Sequence, residues 1–206
     1  MPGSAIPQVM IATRFAAPAD AVYAVVTDYA HFAEFIPDVA ESRIIREADG
    51  VQWVFHRLHF AGPVADRVYV MRSVGSVGAA AYRVEWSLSP EAPPAGAQGI
   101  SPRQFSGFWE LRPTTDGKAT EARYAVHSDP GGRIPAWLVT RIHGEAPGGE
   151  PQVERTVGLA LRRDRAQAVV GGDVDRAARR CAGRAPDLGA RLQAQRVGKS
   201  GLRIRG

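Results

Sequence analysis

Three of the five histidines are the first candidates for metal or acid–base chemistry. His56 and His59 lie in the segment 51–60, whose apolar residues predict a strand. Successive side chains of a strand point to opposite faces, so two residues three positions apart cannot bind one ion together. His127 belongs to another predicted strand and could pair with only one of them. We therefore interpret these histidines as ordinary polar residues and predict no metal site and no cofactor.

No nucleophile lies in a sequence context that would activate it. Cys181 is the only cysteine, which excludes an internal disulfide and a Cys-x-x-Cys metal motif. The segment VGKS at 197–200 is similar to the end of a phosphate-binding loop, but that loop requires glycine where Gln193 stands. A Gly-x-Ser-x-Gly motif is absent from the sequence. We predict no catalytic residue and no hydrolase, redox or metal-dependent activity.

The elements that position these side chains are mostly strands. Apolar residues at helical spacing begin after Pro18 and stop at Pro37, which predicts one helix or a pair of short helices. A second helix is predicted to start at Pro135, after the Asp-Pro-Gly-Gly turn at 129–132. Helices at the two ends of an antiparallel sheet indicate an α+β fold. Alternating apolar residues and turn signals predict about seven strands, at 8–15, 39–47, 51–60, 64–74, 79–88, 105–112 and 119–128.

Charge and aromatic content change near the end of the predicted sheet. Residues 1–140 carry 12 Lys and Arg against 14 Asp and Glu, whereas residues 141–206 carry 14 against 7. All 16 aromatic residues lie at or before Trp137. The excess of positive charge therefore belongs to the C-terminal part, which lacks the aromatic residues that stack on nucleic-acid bases. We predict no nucleic-acid partner.

The C-terminal part is also poor in residues that build a core. Arg, Gly and Ala make up 34 of its 66 residues, so it can bury little apolar surface to offset the entropy lost on ordering. We predict a folded domain at 1–143 and an Arg/Gly/Ala-rich tail at 144–206. The tail is expected to be disordered or to result from an out-of-frame reading of GC-rich DNA. Should it fold, residues 152–170 are its best helix candidate.

Three segments resemble one known family. GPVADRVYVMRS (62–73), GFWELRP (107–113) and SDPGGRIPAWLV (128–139) occur in the order found in START domains. Together with the predicted order of elements, they resemble the START-like superfamily (SRPBCC, helix-grip or StAR-related lipid transfer), of the bacterial START or coenzyme-Q-binding type. The resemblance covers residue 4 to about residue 141.

The resemblance implies a helix-grip fold. In that fold a curved antiparallel sheet wraps around a long C-terminal helix and leaves an apolar tunnel for a single lipid. Here the C-terminal helix is expected at 135–143, about half the length that such a sheet needs, before a run of Gly and Pro. The 16-residue segment 89–104, which contains four prolines, would be the loop that gates the tunnel.

The resemblance also bears on where the protein acts. No apolar run approaches the ~20 residues of a membrane helix, and residues 1–10 lack the basic-then-apolar order of a signal peptide. A cytoplasmic location is the default expectation. Family members often have a signal peptide and a further strand before the position where this sequence begins, so a periplasmic or secreted location is expected if the N-terminus is truncated.

Aromatic and apolar residues on the predicted strands are the candidate ligand contacts. The alternation in 79–88 gives Tyr82, Val84 and Trp86 one face, and the parity of Trp109 and Tyr124 matches it. In strands three and four the alternation does not select one face, and Trp53, Phe55, Tyr69 and Met71 form apolar rows there. The predicted ligand-binding residues are Trp53, Phe55, Tyr69, Met71, Tyr82, Val84, Trp86, Trp109, Tyr124 and Trp137.

Two functions remain open. The first is a non-enzymatic carrier or sensor that binds one hydrophobic molecule, such as a lipid or an isoprenoid quinone, and meets a membrane surface only transiently. The second is an enzyme of the polyketide cyclase or dehydratase kind, which uses polar pocket groups as acid and base. A buried, inward-facing acid–base pair would favour the enzyme, and an aromatic tunnel would favour the carrier. Candidate polar groups are Arg57, Asp66, Arg72, Glu85 and Tyr124.

Overall fold

The computed structural model describes residues 8–78, 80–132 and 152–171. Seven strands within these ranges form one curved, unclosed sheet in the order β1-β7-β6-β5-β4-β3-β2, and every neighbouring pair is antiparallel. The α+β helix-grip prediction is confirmed. The seven strands of the described residues are β1 (Val9–Phe15), β2 (Val39–Ala48), β3 (Val51–Leu58), β4 (Arg67–Val77), β5 (Tyr82–Leu88), β6 (Gln104–Pro113) and β7 (Thr120–Asp129).

Local sequence accounts for the hairpin that joins β2 and β3. Asp49 and Gly50 have φ angles of 51° and 75°. A two-residue turn with both φ angles positive matches the twist of the strands it connects, and Asp-Gly is among the pairs that tolerate it best. The turn thereby pairs Ala48 with Val51 at the start of the β2–β3 ladder.

The segment before β2 forms the predicted N-terminal helix pair. Helix α1 (Ala19–Val26) follows Pro18, and a 3-10 turn at Tyr29–His31 leads into α2 (Phe32–Phe35). Val22, Val25 and Val26 of α1 are buried. They recur at helical spacing, so they share the helix face that packs on the sheet.

A third helix lies in the segment that was predicted to be a tail. Helix α3 (Gln152–Gly171) contributes Val157, Ala160 and Leu161 to the same buried cluster as α1 and the sheet. The predicted domain boundary at residue 143 is thus corrected, because at least residues 152–161 help to form the core. The helix candidate at 152–170 is confirmed. Residues 133–151 and 172–206, which include the helix predicted at 135–143, lie outside the described residues.

The segment 89–104 does not line the space between sheet and helices. Residues 67–70 at the start of β4 have no partner in β5, and the segment 89–104 pairs with their backbone instead. Val68 donates to the Ile100 carbonyl at 3.2 Å, and Ile100 donates to the Asp66 carbonyl at 2.8 Å. Ala97 packs against Phe55, Val68 and Val70 on the outer face. The expected gating loop is corrected to a segment that covers the outer face and pairs with the start of β4.

A buried arginine connects two of the segments that carry the family resemblance. Arg67 is 1% exposed. Its Nε donates to the Pro130 carbonyl and its Nη2 to the Gly131 carbonyl, both at 2.8 Å, and Nη1 donates to the carbonyl of Ala65. Three main-chain carbonyls therefore hold the guanidinium, and β4 fixes the Pro-Gly turn that follows β7.

Candidate ligand-binding site

A cavity of about 250 Å³ lies between the concave face of the sheet and the helices. Val25 and Val26 of α1 line one side, and Val153, Thr156 and Val157 of α3 line another. Residues of the 3-10 turn, of α2 and of the segment that leads into β2 also line the cavity. The remaining lining side chains come from six strands: Val9 and Ile11 of β1, His56 and Leu58 of β3, Tyr69 and Met71 of β4, Trp86 of β5, Phe105 and Trp109 of β6, and Tyr124 and Val126 of β7, with Phe60 just after β3.

Aromatic rings form a continuous row along the sheet side of the cavity. Tyr69 and Phe105 have ring centroids 5.1 Å apart, and Phe105 lies 6.3 Å from Trp86. Trp86 in turn lies 5.9 Å from Tyr124, and Tyr124 lies 4.7 Å from Trp109. These tilted contacts are in the range where aromatic pairs stabilise one another. The row gives the cavity an aromatic, polarisable wall.

The ladder between β5 and β6 makes room for the largest ring in this row. Trp86 pairs directly with Gly107. A Cβ at Gly107 would overlap the indole of Trp86 and the carbonyl oxygen of Ala125. The absence of a side chain at Gly107 therefore allows the indole to lie against the backbone of β6.

Two polar pairs are buried in or beside this apolar site. The Tyr29 hydroxyl and the Ser73 hydroxyl lie 2.7 Å apart. The His56 Nδ1 and the Tyr69 hydroxyl lie 3.2 Å apart, on residues that face each other across β3 and β4. Both pairs satisfy hydroxyl groups that would otherwise be buried without a partner.

Burial keeps these groups neutral. It lowers the pKa of His56 to about 4, because a charged imidazole would lose its hydration there. Burial also raises the pKa values of Tyr29, Tyr69 and Tyr124, with the Ser73 hydrogen bond opposing the shift at Tyr29. At neutral pH the imidazole is uncharged and the phenols are protonated. Asp38 is the one acidic residue among the lining residues that the structure describes.

Half of the predicted ligand contacts lie on the cavity wall. Tyr69, Met71, Trp86, Trp109 and Tyr124 line it. Their contact with a ligand stays a prediction. Trp137 lies outside the described residues.

Four of the predicted contacts require correction. Trp53 and Phe55 belong to the outer-face cluster with Val68 and Val70, because β3 carries apolar residues on both faces and its parity was ambiguous. Arg46 lies 3.4 Å above the Trp53 ring and Arg43 5.2 Å above the Phe55 ring, so arginines cover this face.

Tyr82 and Val84 have the predicted inward parity but do not line the cavity. They pack in the cluster that α1 covers, where Tyr82 contacts Tyr23 at a centroid distance of 5.6 Å. They are therefore core residues rather than cavity residues. Whether an inward-facing residue of β5 belongs to the core or to the cavity wall depends on where α1 lies over the sheet.

The polar residues considered for acid–base catalysis are mostly outside the cavity. Arg57 forms ion pairs with Glu41 and Asp66 at 3.7 and 3.1 Å. Arg72 and Glu85 are exposed. Among these candidates only Tyr124 lines the cavity.

Sequence reasoning missed His56 as a cavity residue. His56 is buried within β3, whereas His59 lies one residue past the end of that strand, is exposed and contacts Asp66 at 2.9 Å, so the two histidines do not face one site. The sequence offers no clear signal for it, because the pairing of His56 with Tyr69 depends on the register between β3 and β4. In the part of the chain that the structure describes, no group of three or more His, Cys, Asp or Glu side chains could hold a metal ion. None of the described helices has both the length and the apolar character needed to cross a bilayer.

Comparisons with known proteins agree with this architecture. Residues 15–147 match the family model described as polyketide cyclase / dehydrase and lipid transport. A crystal structure of a STAR-related lipid transfer protein from Xanthomonas axonopodis is similar, with a TM-score of 0.65 and 26% identity over 79% of this chain and 89% of that chain. Human STARD10 has the same TM-score at 16% identity, over 80% and 66% of the two chains, which is a likeness of fold alone.

A curated relative adds sequence evidence without a function. An uncharacterized protein of Pseudomonas aeruginosa is 26% identical over 117 residues, and the chain spans 56% of its length. The family match covers more than half of the present chain, and the fold of the lipid transfer relatives is the fold described above. The chain therefore belongs to the polyketide cyclase / dehydrase and lipid transport family, within the SRPBCC superfamily of helix-grip proteins.

Proposed function

We propose that this protein binds a single hydrophobic molecule in the cavity between the sheet and the helices, as a carrier or sensor. The observation that carries the proposal is the composition of the cavity wall. Apart from His56, Asp38, Thr156 and the tyrosine hydroxyls, its side chains are aliphatic or aromatic. Apolar pockets with a few placed polar groups are typical binding sites for small apolar ligands.

The size of the cavity supports the same proposal. An apolar cavity of about 150 Å³ stays dry and accepts a molecule such as benzene. The cavity here measures about 250 Å³, so it can accommodate a somewhat larger apolar group. A ligand would restore the dispersion contacts that the side chains around the cavity lack.

A second candidate is the cyclase or dehydratase activity, which one observation favours. His56 and Tyr69 form a polar pair on the cavity wall, and a histidine beside a phenol could transfer protons to and from a substrate. However, burial lowers the pKa of His56 to about 4, which makes the imidazole a weak base at neutral pH. The pair therefore supports catalysis less well than the apolar wall supports binding.

Ligand titration tests the proposal. The neutral fluorophore N-phenyl-1-naphthylamine should bind with one site per chain and gain fluorescence as it leaves water. Solvent extraction of the purified protein followed by mass spectrometry should identify any bound apolar molecule. Transfer of that molecule between donor and acceptor vesicles would test the carrier role at a membrane surface. Failure to bind the fluorophore or any extracted molecule would reject the proposal.

A direct assay tests the second candidate. A poly-β-ketone substrate analogue incubated with the protein should remain unchanged if the protein only binds. Formation of a cyclised or dehydrated product that is lost in both His56→Gln and Tyr69→Phe would establish the enzyme instead.

A further inference from the structure

Two buried nitrogen atoms on the cavity wall have no hydrogen-bond partner. Among the described residues, the buried side-chain atoms without a partner are His56 Nε2, Trp86 Nε1 and His127 Nε2. His56 and Trp86 line the cavity, whereas His127 does not. His56 is 4% exposed. A buried polar atom that lacks a partner is costly, so such atoms in a native protein call for an explanation.

The indole nitrogen can act in only one way. Trp86 Nε1 carries a hydrogen and has no free lone pair in the ring plane, so it is a donor and never an acceptor. It lies on a side chain that Gly107 allows to rest on the sheet. The partner that Trp86 lacks must therefore be an acceptor.

The hydrogen bond to Tyr69 determines what His56 Nε2 offers. A neutral imidazole has one donor and one acceptor nitrogen, and Nδ1 lies 3.2 Å from the Tyr69 hydroxyl. If the hydroxyl donates to Nδ1, only the Nε2–H lacks a partner. If Nδ1 donates instead, both Nε2 and the phenolic hydrogen lack partners. The first arrangement leaves fewer polar groups unpaired and makes Nε2–H a second donor.

The two donors lie on the same row of rings. The His56 and Tyr69 centroids are 5.4 Å apart, Tyr69 and Phe105 are 5.1 Å apart, and Phe105 and Trp86 are 6.3 Å apart. One ligand lying along this row would meet both donors and the aromatic faces between them. The wall therefore combines apolar contact with hydrogen bonds donated by the protein.

We infer that the ligand is an uncharged apolar molecule that carries at least one carbonyl oxygen, which accepts a hydrogen bond from one of the two donors, Trp86 Nε1 and His56 Nε2. This inference rests on the proposed function. A carbonyl oxygen has two lone pairs and no hydrogen, so it matches a site that presents donors. A carboxylate would need a compensating charge when buried, and the cavity-lining residues that the structure describes include no lysine or arginine.

Three compounds of similar shape test the inference. Benzophenone, diphenylmethane and diphenylacetate share two phenyl rings and differ in having a carbonyl, no polar group and a carboxylate. Each would be titrated against bound N-phenyl-1-naphthylamine. Benzophenone should displace the fluorophore at about one tenth of the concentration that diphenylmethane requires, which corresponds to the net gain of a hydrogen bond donated to a carbonyl. Diphenylacetate should be the weakest of the three.

Two variants remove the donors one at a time. Trp86→Phe keeps a ring and loses the N–H, and His56→Leu removes the imidazole. At least one of the two variants should reduce the ratio of benzophenone affinity to diphenylmethane affinity by severalfold. Glu85→Ala, which changes an exposed residue beside Trp86, is the matched control and should preserve the preference. Because the readout is a ratio within one protein, a modest loss of stability does not mask it.

The outcomes separate this inference from the proposed function. Equal affinity of the wild-type protein for benzophenone and diphenylmethane would overturn the inference and leave hydrophobic binding intact. Diphenylacetate binding as tightly as benzophenone would overturn the claim that the ligand is uncharged. A preference unchanged in both variants would show that other groups recognise the oxygen. Displacement by none of the three compounds, with no fluorophore binding, would overturn the inference and the proposed function together.

Discussion

Trp86 and Gly107 are direct partners across β5 and β6, and the indole of Trp86 occupies the space where any other residue at 107 would place its Cβ. The shape of the cavity thus depends on a residue that has no side chain. The same ring begins the contacts to Phe105 and Tyr124 along the wall. A change at position 107 should therefore reach the ligand site through Trp86.

Replacing Gly107 by Ala should damage both stability and binding. The added methyl group overlaps the indole and the Ala125 carbonyl oxygen, so the ring or the strand must shift. We expect a loss of about 1–3 kcal/mol in the free energy of unfolding in urea, together with weaker binding of N-phenyl-1-naphthylamine. Ser106→Ala, one position earlier in β6, is the control and should change neither quantity by as much. Unchanged stability in Gly107→Ala would contradict the packing described here.

Replacing Trp86 by Ala should affect binding more than stability. A fully packed core tryptophan costs ~3–5 kcal/mol when truncated to alanine. Trp86 lines the cavity and is half-buried, so its ring has packing partners on only part of its surface and the cost should be smaller. Fluorophore titration and urea unfolding would be measured side by side, with Glu85→Ala as the exposed control. An unchanged fluorophore affinity with a full core-sized loss of stability would assign Trp86 to the core instead.

The stability of the protein should fall as the pH drops from about 6.5 to about 4 because of His56. The unfolded imidazole binds a proton near its ordinary pKa, whereas burial lowers the pKa of the folded one to about 4. The unfolded state therefore binds more protons in this window. The loss of stability, at most about 3 kcal/mol, is complete once the pH falls below the pKa of the folded imidazole. Urea unfolding at pH 7 and pH 5 should show a smaller difference in His56→Phe than in the wild type. An equal difference in the two proteins would refute this assignment.

Replacing Arg67 by Met should destabilise the turn after β7. The guanidinium is buried and donates to the carbonyls of Pro130, Gly131 and Ala65, which would be left buried without a donor. We expect a loss of about 3 kcal/mol in the free energy of unfolding. Arg72→Met on the same strand, where the side chain is exposed, should cost under about 0.5 kcal/mol. Similar costs for both variants would remove the structural role assigned to Arg67.

Two leucines of α3 provide a matched test of whether this helix belongs to the domain. Leu161 is 8% exposed and packs in the main cluster, whereas Leu159 is 54% exposed. Leu161→Ala should cost about 2–4 kcal/mol through the cavity it leaves, and Leu159→Ala should cost under about 0.5 kcal/mol. If neither variant changes urea unfolding, residues 152–161 do not help to form the folded core.

The two regions that misled sequence reasoning did so for identifiable reasons. The Arg, Gly and Ala content of the C-terminal part outweighed a short apolar stripe, Val153, Val157, Ala160 and Leu161, which recurs at helical spacing and packs on α1. Average composition cannot show that one helix face has a partner. In β3, apolar residues occupy both faces, since Ala97 and two arginines cover the outer one. Parity then gives no inward direction.

The sequence by itself determined the order of the strands and the N-terminal helices, and the faces of β5, β6 and β7. Those features follow from short-range regularities: the two-residue period of a strand places Val84 and Trp86 on one face, and Asp49-Gly50 closes a hairpin wherever it occurs. Only the tertiary structure decided that α1 covers Tyr82 and Val84 while Trp86 and Trp109 line a cavity. It also decided that His56 meets Tyr69 there. The first outcome depends on where α1 lies on the curved sheet, and the second depends on the pairing register of β3 and β4. Neither is set by the local pattern of a single element.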